Sequence, residues 1–326
     1  MGTGCTACSM KGGSDLQAGH HTSMPAVSGW TRVSMAVSFS LLVTINLLSM
    51  YGVLGTVGPE YLQHRQTPLT PQSWAFSLWI LILFLQGMAV VDQALPTGYG
   101  EAWKSYIVAT LGVAWQIGWA CEITNQLALY SQTLLGLWVG LTSLLAATSA
   151  FAWTLVRLYN LRRKFSLGPP TAKAYCLYFA STSINTAWLS FCLADGVLVV
   201  AQAHGAPLLA VDILAVVLIM VVWAAALWVV TKKKASYYGL TIVWVLVAVY
   251  GRQTAQPMPA ICLLLLLGLG LATIFSVIRR RNVCGAREKL EPANRVDEEM
   301  PLTAAAETML VGPQAVTAHP LRLAVA

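Results

Sequence analysis

Runs of about 17 to 25 apolar residues recur along this sequence, each long enough to cross the hydrocarbon core of a bilayer. Eight can be read, at about 33–55, 74–91, 105–127, 132–156, 174–200, 210–230, 235–251 and 258–278. In lipid each segment must satisfy its own backbone hydrogen bonds, which leaves only helices and closed barrels. The alternation of a barrel strand is absent, so the runs are read as helices. Only 10% of the 326 residues are charged, against about 25% in soluble domains. The expected fold class is an all-α integral membrane protein, a bundle of about eight transmembrane helices.

A net charge of +7 could point to nucleic acid, but its distribution argues otherwise. With eight spans, Lys11, Arg32, Lys104, Arg157, Arg162 to Lys164, Lys173, Lys232 to Lys234 and Arg279 to Arg281 fall on one side, with the rest of the tail. Only Arg65 and Arg252 fall on the other. Such asymmetry is what the positive-inside rule produces, so both termini are expected in the cytosol. The bilayer is the first partner, and no nucleic-acid partner is expected.

Residues 1–32 are rich in Gly, Ser, Thr and Ala and are expected to form a flexible cytosolic leader without a signal peptide. Met1-Gly2-Thr3-Gly4-Cys5-Thr6 fits a myristoylation pattern, with Gly2 as acceptor and Cys5 and Cys8 as palmitoylation candidates. Residues 279–326 turn polar and carry Pro292, Pro301, Pro313 and Pro320, which suggests a disordered cytosolic tail. The seventh run, between Lys234 and Arg252, is short, and snorkelling of those two side chains would extend its reach.

Catalysis is poorly provided for. The histidines are His20, His21, His64, His204 and His319, and none sits mid-span. No metal-ligand spacing, phosphate loop or nucleophile elbow occurs. The chain is therefore not expected to be an enzyme, to hold a metal or to require a cofactor.

Polar groups inside spans are more informative, because they cost energy and need partners. Asn46, Gln86, Gln116, Ser181, Thr182, Ser183 and Asn185 are read as interhelical hydrogen-bonding groups. Gly136 and Gly140 form a GxxxG step for close helix packing. Glu122, Asp195 and Asp212 map to outer span ends, where solvated caps are expected; grouped together they would instead form an ion-coupling cluster. Of twelve tryptophans, Trp115, Trp119, Trp138, Trp188, Trp223 and Trp244 lie within spans rather than in an interfacial belt. Several flat indole faces around one cavity would suit a planar hydrophobic ligand.

The stretch "TPLTPQSWAFSLWILILFLQG" at 67–87 carries a family resemblance. Through Pro68, Pro71, Trp74, Phe76 and Trp79 it resembles the second-span entry of the tryptophan-rich sensory protein/translocator protein (TspO/MBR) family, in its longer tryptophan-rich branch. Leu83 stands where that pattern has a tyrosine. "LGVAWQIGWACEITN" is similar to the Trp-bearing third span through Trp115 and Trp119, "CLYFASTSINTAW" to the fifth through Thr182 and Asn185, and "YYGLTIVWVLVAVYGR" to the long branch's seventh. The resemblance covers roughly 33–278. It implies a translocator-like five-helix bundle over 33–203 and three additional helices over 204–278.

It also implies a pocket for tetrapyrroles, sterols or aromatic drugs beneath a cap formed by the first loop. Pro68 and Pro71 would stiffen that cap. Trp74, Phe76, Trp79, Trp115, Trp119 and Asn185 would line the pocket, with Asn185 as the polar anchor. The expected function is binding of a planar hydrophobic molecule, a tetrapyrrole ligand foremost, as sensor, carrier or regulator; a homodimer is the oligomer to test for. An ion-coupled secondary transporter and a ligand-free structural protein are the alternatives.

Overall fold

The computed structural model describes residues 28–54, 66–95, 102–164, 172–253 and 257–295. Gly2, Cys5 and Cys8 lie outside the described residues. Every regular element among the described residues is helical. Helix α1 is Gly29–Met50; a 3-10 turn, Ser73–Phe76, leads into α2, Ser77–Ala94; α3 is Ala102–Tyr130 and α4 Leu134–Lys164. Helix α5 begins at Ala172–Ala174, widens into a π segment, Tyr175–Ala180, and continues as Ser181–Ala203. Helix α6, Leu208–Trp228, ends in a second π segment, Val229–Lys233; α7 is Ser236–Arg252 and α8 Met258–Arg295. The chain is an all-α integral membrane protein.

Local chemistry sets several of these ends. Ser28 caps α1 by accepting a hydrogen bond from the Thr31 backbone N–H. Beyond α1, Gly52 takes φ +68°, a left-handed turn that closes the helix five residues before the expected boundary at 55. Helix α5 ends at Gly205, φ +76°, and Pro207 opens α6. Helix α8 continues to Arg295, past the boundary expected at 278, where a disordered tail was expected to begin. Among the described residues, those up to Ser276 form one compact unit and those from Val277 onward a second.

Helix α5 is the central element, packing against α2, α4, α6 and α7. Its residues Ser181 to Leu189 are buried without interruption, as a helix surrounded by others requires. Seven helices are long and apolar enough to cross a membrane by length and composition. The remaining one, α7, has 17 residues and is about 25 Å long at 1.5 Å per residue. It still matches α5 from end to end. Near its start the Tyr237 ring meets Tyr175 of α5 at 5.7 Å. Near its end Arg252 and Gln253 bond the same loop, 66–72, that Gln202 of α5 bonds. The two helices therefore run parallel through the bundle.

The GxxxG step acts in the α3–α4 hairpin. A Cβ on Gly136 would lie 2.5 Å from the Ala128 carbonyl oxygen, and one on Gly140 would lie 3.1 Å from Asn125 Oδ1. The first obstacle is backbone and cannot rotate away. Gly136→Ala should therefore cost about 1–3 kcal/mol, in the range of overpacking, and Gly140→Ala clearly less. Thermal unfolding in detergent micelles checks the order; equal losses at the two positions would contradict it.

Candidate functional site

Helix α3 places Trp115, Trp119, Glu122 and Gln126 at i, i+4, i+7 and i+11, one face of an α-helix. That face looks into the bundle. Trp115 and Trp119 are fully buried, and their rings meet at 5.4 Å and 60°. Phe39 of α1 approaches Trp119 at 5.3 Å, and Phe151 of α4 approaches Trp115 at 6.4 Å. The Trp119 indole donates to Gln86 Oε1 of α2 at 2.9 Å. Lower on the same face, Glu122 accepts from Asn185 Nδ2 of α5 at 3.0 Å. Asn46 of α1 ties three helices together, its Oδ1 accepting from both Trp79 Nε1 and Gln126 Nε2 at 2.7 Å. A second aromatic group gathers on Trp188 of α5, which Phe76 and Trp79 approach edge-on at 5.4 and 6.2 Å.

Five of the six side chains expected to line a pocket thus face the interior of the first five helices, in two neighbouring groups. Trp74 does not join them. It is 39% exposed and meets Trp244 of α7 edge-on at 4.8 Å, because the 3-10 turn directs it to the α7 side. The expectation of an open hollow also needs correction. Trp115, Trp119 and Asn185 are all 0% exposed, so nothing the size of a water molecule fits beside them in this conformation. The interior is a closed aromatic core.

That core is nonetheless imperfectly satisfied. Gln86 Nε2, Trp115 Nε1 and Asn185 Oδ1 are buried without a hydrogen-bond partner. A buried polar atom left unpaired costs about 1–3 kcal/mol. Aromatic faces lie here beside unpaired donors and acceptors, and any ligand would need space made by separating the rings.

The loop before α2 closes one end of the bundle. Leu69 and Pro71 are buried, and the loop is stitched internally by Thr67 N–H donating to Thr70 Oγ1 at 2.9 Å. Helices α5 and α7 hold it from outside. Thr67 Oγ1 donates to Asp195 Oδ1, and Gln202 Nε2 to the Gln66 carbonyl at 3.1 Å. Gln72 N–H donates to the Ala248 carbonyl at 3.2 Å and its Nε2 to Gly251 at 2.6 Å. Arg252 donates to the Pro71 carbonyl at 3.3 Å. Pro68 and Pro71 therefore sit in a cap that is latched as well as stiffened.

The three acids read as outer caps have three different environments. Glu122 is only 3% exposed and bonded within the core; α3 continues to Tyr130, so the residue lies deeper than the end of its apolar run suggests. Asp195 is half-buried beneath the loop, and Asp212 is exposed at the start of α6. Sequence reasoning passed over Asp92, which is buried near the end of α2, where it forms an ion pair with Lys173 and accepts from the Tyr178 hydroxyl at 2.8 Å. It also missed Trp188 and Gln86 as site residues. Their signal was the period of α2 and α5 taken together with the α3 face. Among the described residues no three His, Cys, Asp or Glu side chains gather as a metal site.

Residues 32–278 match the model of the family described as TSPO-like protein. No curated protein and no solved structure matches the chain. The matched span takes in all but the first three residues of α1, the whole of α2 to α7 and the apolar part of α8, and on that ground the chain belongs to the TSPO-like protein family.

Proposed function

We propose that this protein binds a planar hydrophobic small molecule of the tetrapyrrole or sterol class between α1, α2, α3 and α5. It acts there as a sensor, carrier or regulator and performs no catalysis. The observation that supports this reading is the closed aromatic core with unpaired polar atoms at Gln86, Trp115 and Asn185. A ligand that parts the rings and bonds those atoms relieves a standing cost, whereas purely structural packing gains nothing by keeping them. Entry requires the loop at 66–72 to release. The parallel run of α5 and α7 favours eight crossings, and with eight crossings the distribution of Lys and Arg favours both termini in the cytosol. In sealed membrane vesicles of known orientation, a cysteine placed at Asp212 should then react with an impermeant maleimide only from the side opposite the cytosol; reaction from the cytosolic side would reverse the assignment.

Titration of the purified protein with protoporphyrin, and separately with a sterol, tests the binding. Saturable quenching of tryptophan emission by one of them is expected, weakened about tenfold in Trp79→Ala, as loss of about 1.4 kcal/mol of stacking and positioning predicts. Absence of saturable quenching by either would remove the support for a ligand site.

A further inference from the structure

Within the aromatic core, contacts close a circuit around Glu122 that passes through four helices. Asn185 Nδ2 of α5 donates to Glu122 Oε1 at 3.0 Å. One turn further along α5 lies Trp188, whose ring meets Trp79 of α2 at 6.2 Å. Trp79 Nε1 donates to Asn46 Oδ1 of α1 at 2.7 Å, and Gln126 Nε2 of α3 donates to the same oxygen at 2.7 Å. Gln126 lies one turn beyond Glu122 on the same face of α3 and completes the circuit. Trp119, one turn before Glu122, and Phe76, edge-on to Trp188 at 5.4 Å, add aromatic walls.

Hydrogen bonding fixes which atoms of this circuit are left over. Asn46 Nδ2 donates to the Leu42 carbonyl at 2.8 Å, so Asn46 Oδ1 is the atom that receives the Trp79 N–H. Gln126 must then bond that oxygen through its own nitrogen, which leaves Gln126 Oε1 free to accept. Asn185 turns its nitrogen to a carboxyl group and leaves Oδ1. Both spare oxygens are buried without a partner, and Asn185 is 0% exposed. The unpaired nitrogens of the core, at Gln86 and Trp115, belong to the Trp119 side of Glu122, since Gln86 bonds Trp119. Among the described residues no Lys, Arg or His forms an ion pair with Glu122. The pole is therefore built of acceptors, one carboxyl group and two amide oxygens, between indole rings. A porphyrin carboxylate would meet like charge there, and a sterol hydroxyl has a single hydrogen to donate. Calcium or magnesium would seek about six oxygens. A primary ammonium carries three N–H donors, one for each of the three groups, and is attracted to the face of Trp.

We propose that this pole receives a protonated amine, so that the favoured ligand is a flat hydrophobic molecule bearing one ammonium group held by Glu122, Asn185 and Gln126. The inference rests on the reading of the core as a ligand site, and it names the charge that the ligand carries. A charge-assisted bond to the Glu122 carboxylate contributes about 10- to 100-fold in affinity.

The test titrates the full chain, in nonionic micelles at neutral pH, with three probes that share one flat ring system: pyrenemethylamine, pyrenemethanol and pyrenecarboxylic acid. Energy transfer from tryptophan to pyrene reads binding, corrected for partition of each probe into empty micelles. Saturable transfer is expected, with the amine bound about 10- to 100-fold more tightly than the alcohol or the acid. Glu122→Gln keeps the shape and the acceptor for Asn185 Nδ2, and should bring the amine down to the affinity of the alcohol while leaving the alcohol unchanged. Asp212→Asn removes the same charge from an exposed position on α6 and should change nothing. Saturable binding of all three probes with equal affinity overturns the inference and leaves the ligand site standing. An amine preference that survives Glu122→Gln, or is lost equally in Asp212→Asn, overturns it as well. Saturation by protoporphyrin or a sterol but not by the amine refutes the inference alone, whereas no saturable signal from any of these molecules removes the ligand site and the inference together.

Discussion

Asn185→Leu should lower the stability of the bundle by about 1–3 kcal/mol, and Glu122→Leu in the same chain should restore most of the loss. The argument turns on which partner is left behind. An interhelical hydrogen bond in a membrane protein is worth only about 0.6 kcal/mol on average, so loss of the bond alone would be hard to measure. Glu122, however, is 3% exposed and bonded by Asn185 Nδ2 at 3.0 Å. Removal of the amide leaves a carboxyl group in a closed core, and the desolvation of that group, rather than the bond, sets the size of the effect. Asn185 Oδ1 is itself unpaired, so its removal returns part of the loss. Glu122→Leu alone strands the Asn185 amide at both ends. The double variant strands nothing, because replacing both partners by apolar groups of similar size is close to neutral. A double-mutant cycle on reversible unfolding in mixed micelles therefore predicts strongly non-additive losses. Additive losses would mean that Glu122 has another partner of equal strength.

The same pair shows where reading the sequence stops. Helix positions were legible because hydropathy is a one-dimensional property, and the GxxxG step was legible because small residues act through local spacing. Asn46 and Gln86 could be read as helix-bonding groups, and each does bond another helix. Depth was not legible. Glu122 lies five residues from the end of an apolar run expected at 127, which suggested water. The helix continues to Tyr130, and α5, more than 60 residues away in sequence, supplies the covering. Trp74 misled for the same reason. Its spacing to Phe76 and Trp79 places it in one motif, but the ring it meets belongs to Trp244, 170 residues on. The last helix was cut short at 278 because charge begins there, yet the α8 backbone carries its charged residues as helix to Arg295. Non-local contacts decide burial, and a single sequence records them only where a local rule happens to coincide.

The latch over the core is wholly of this non-local kind, and it yields the other large effect. Asp195→Ala should increase opening of the 66–72 loop about 10- to 100-fold. The substitution removes the carboxylate that receives Thr67 Oγ1, and a hydrogen bond to a charged group is worth about 1.5–3 kcal/mol. Thr67 is the keystone of the loop, since its backbone N–H and hydroxyl also bond Thr70 and Leu69. Arg252→Ala should act in the same direction but more weakly. Its bond to the Pro71 carbonyl is longer, 3.3 Å, and Gln72 still holds that strand of the loop to α7 through the Ala248 and Gly251 carbonyls. Hydrogen exchange at Leu69 and Thr70, or thiol labelling of a Leu69→Cys variant, reads the opening directly, because Leu69 is fully buried when the loop is closed. If the loop gates the aromatic core, the association rate of protoporphyrin should rise in parallel with the labelling rate in both variants, with a smaller change in the amplitude of quenching. Faster labelling with an unchanged association rate would separate the cap from the core. It would mean that ligands reach Trp115 and Trp119 sideways between helices, and that α7 grips the loop for stability alone.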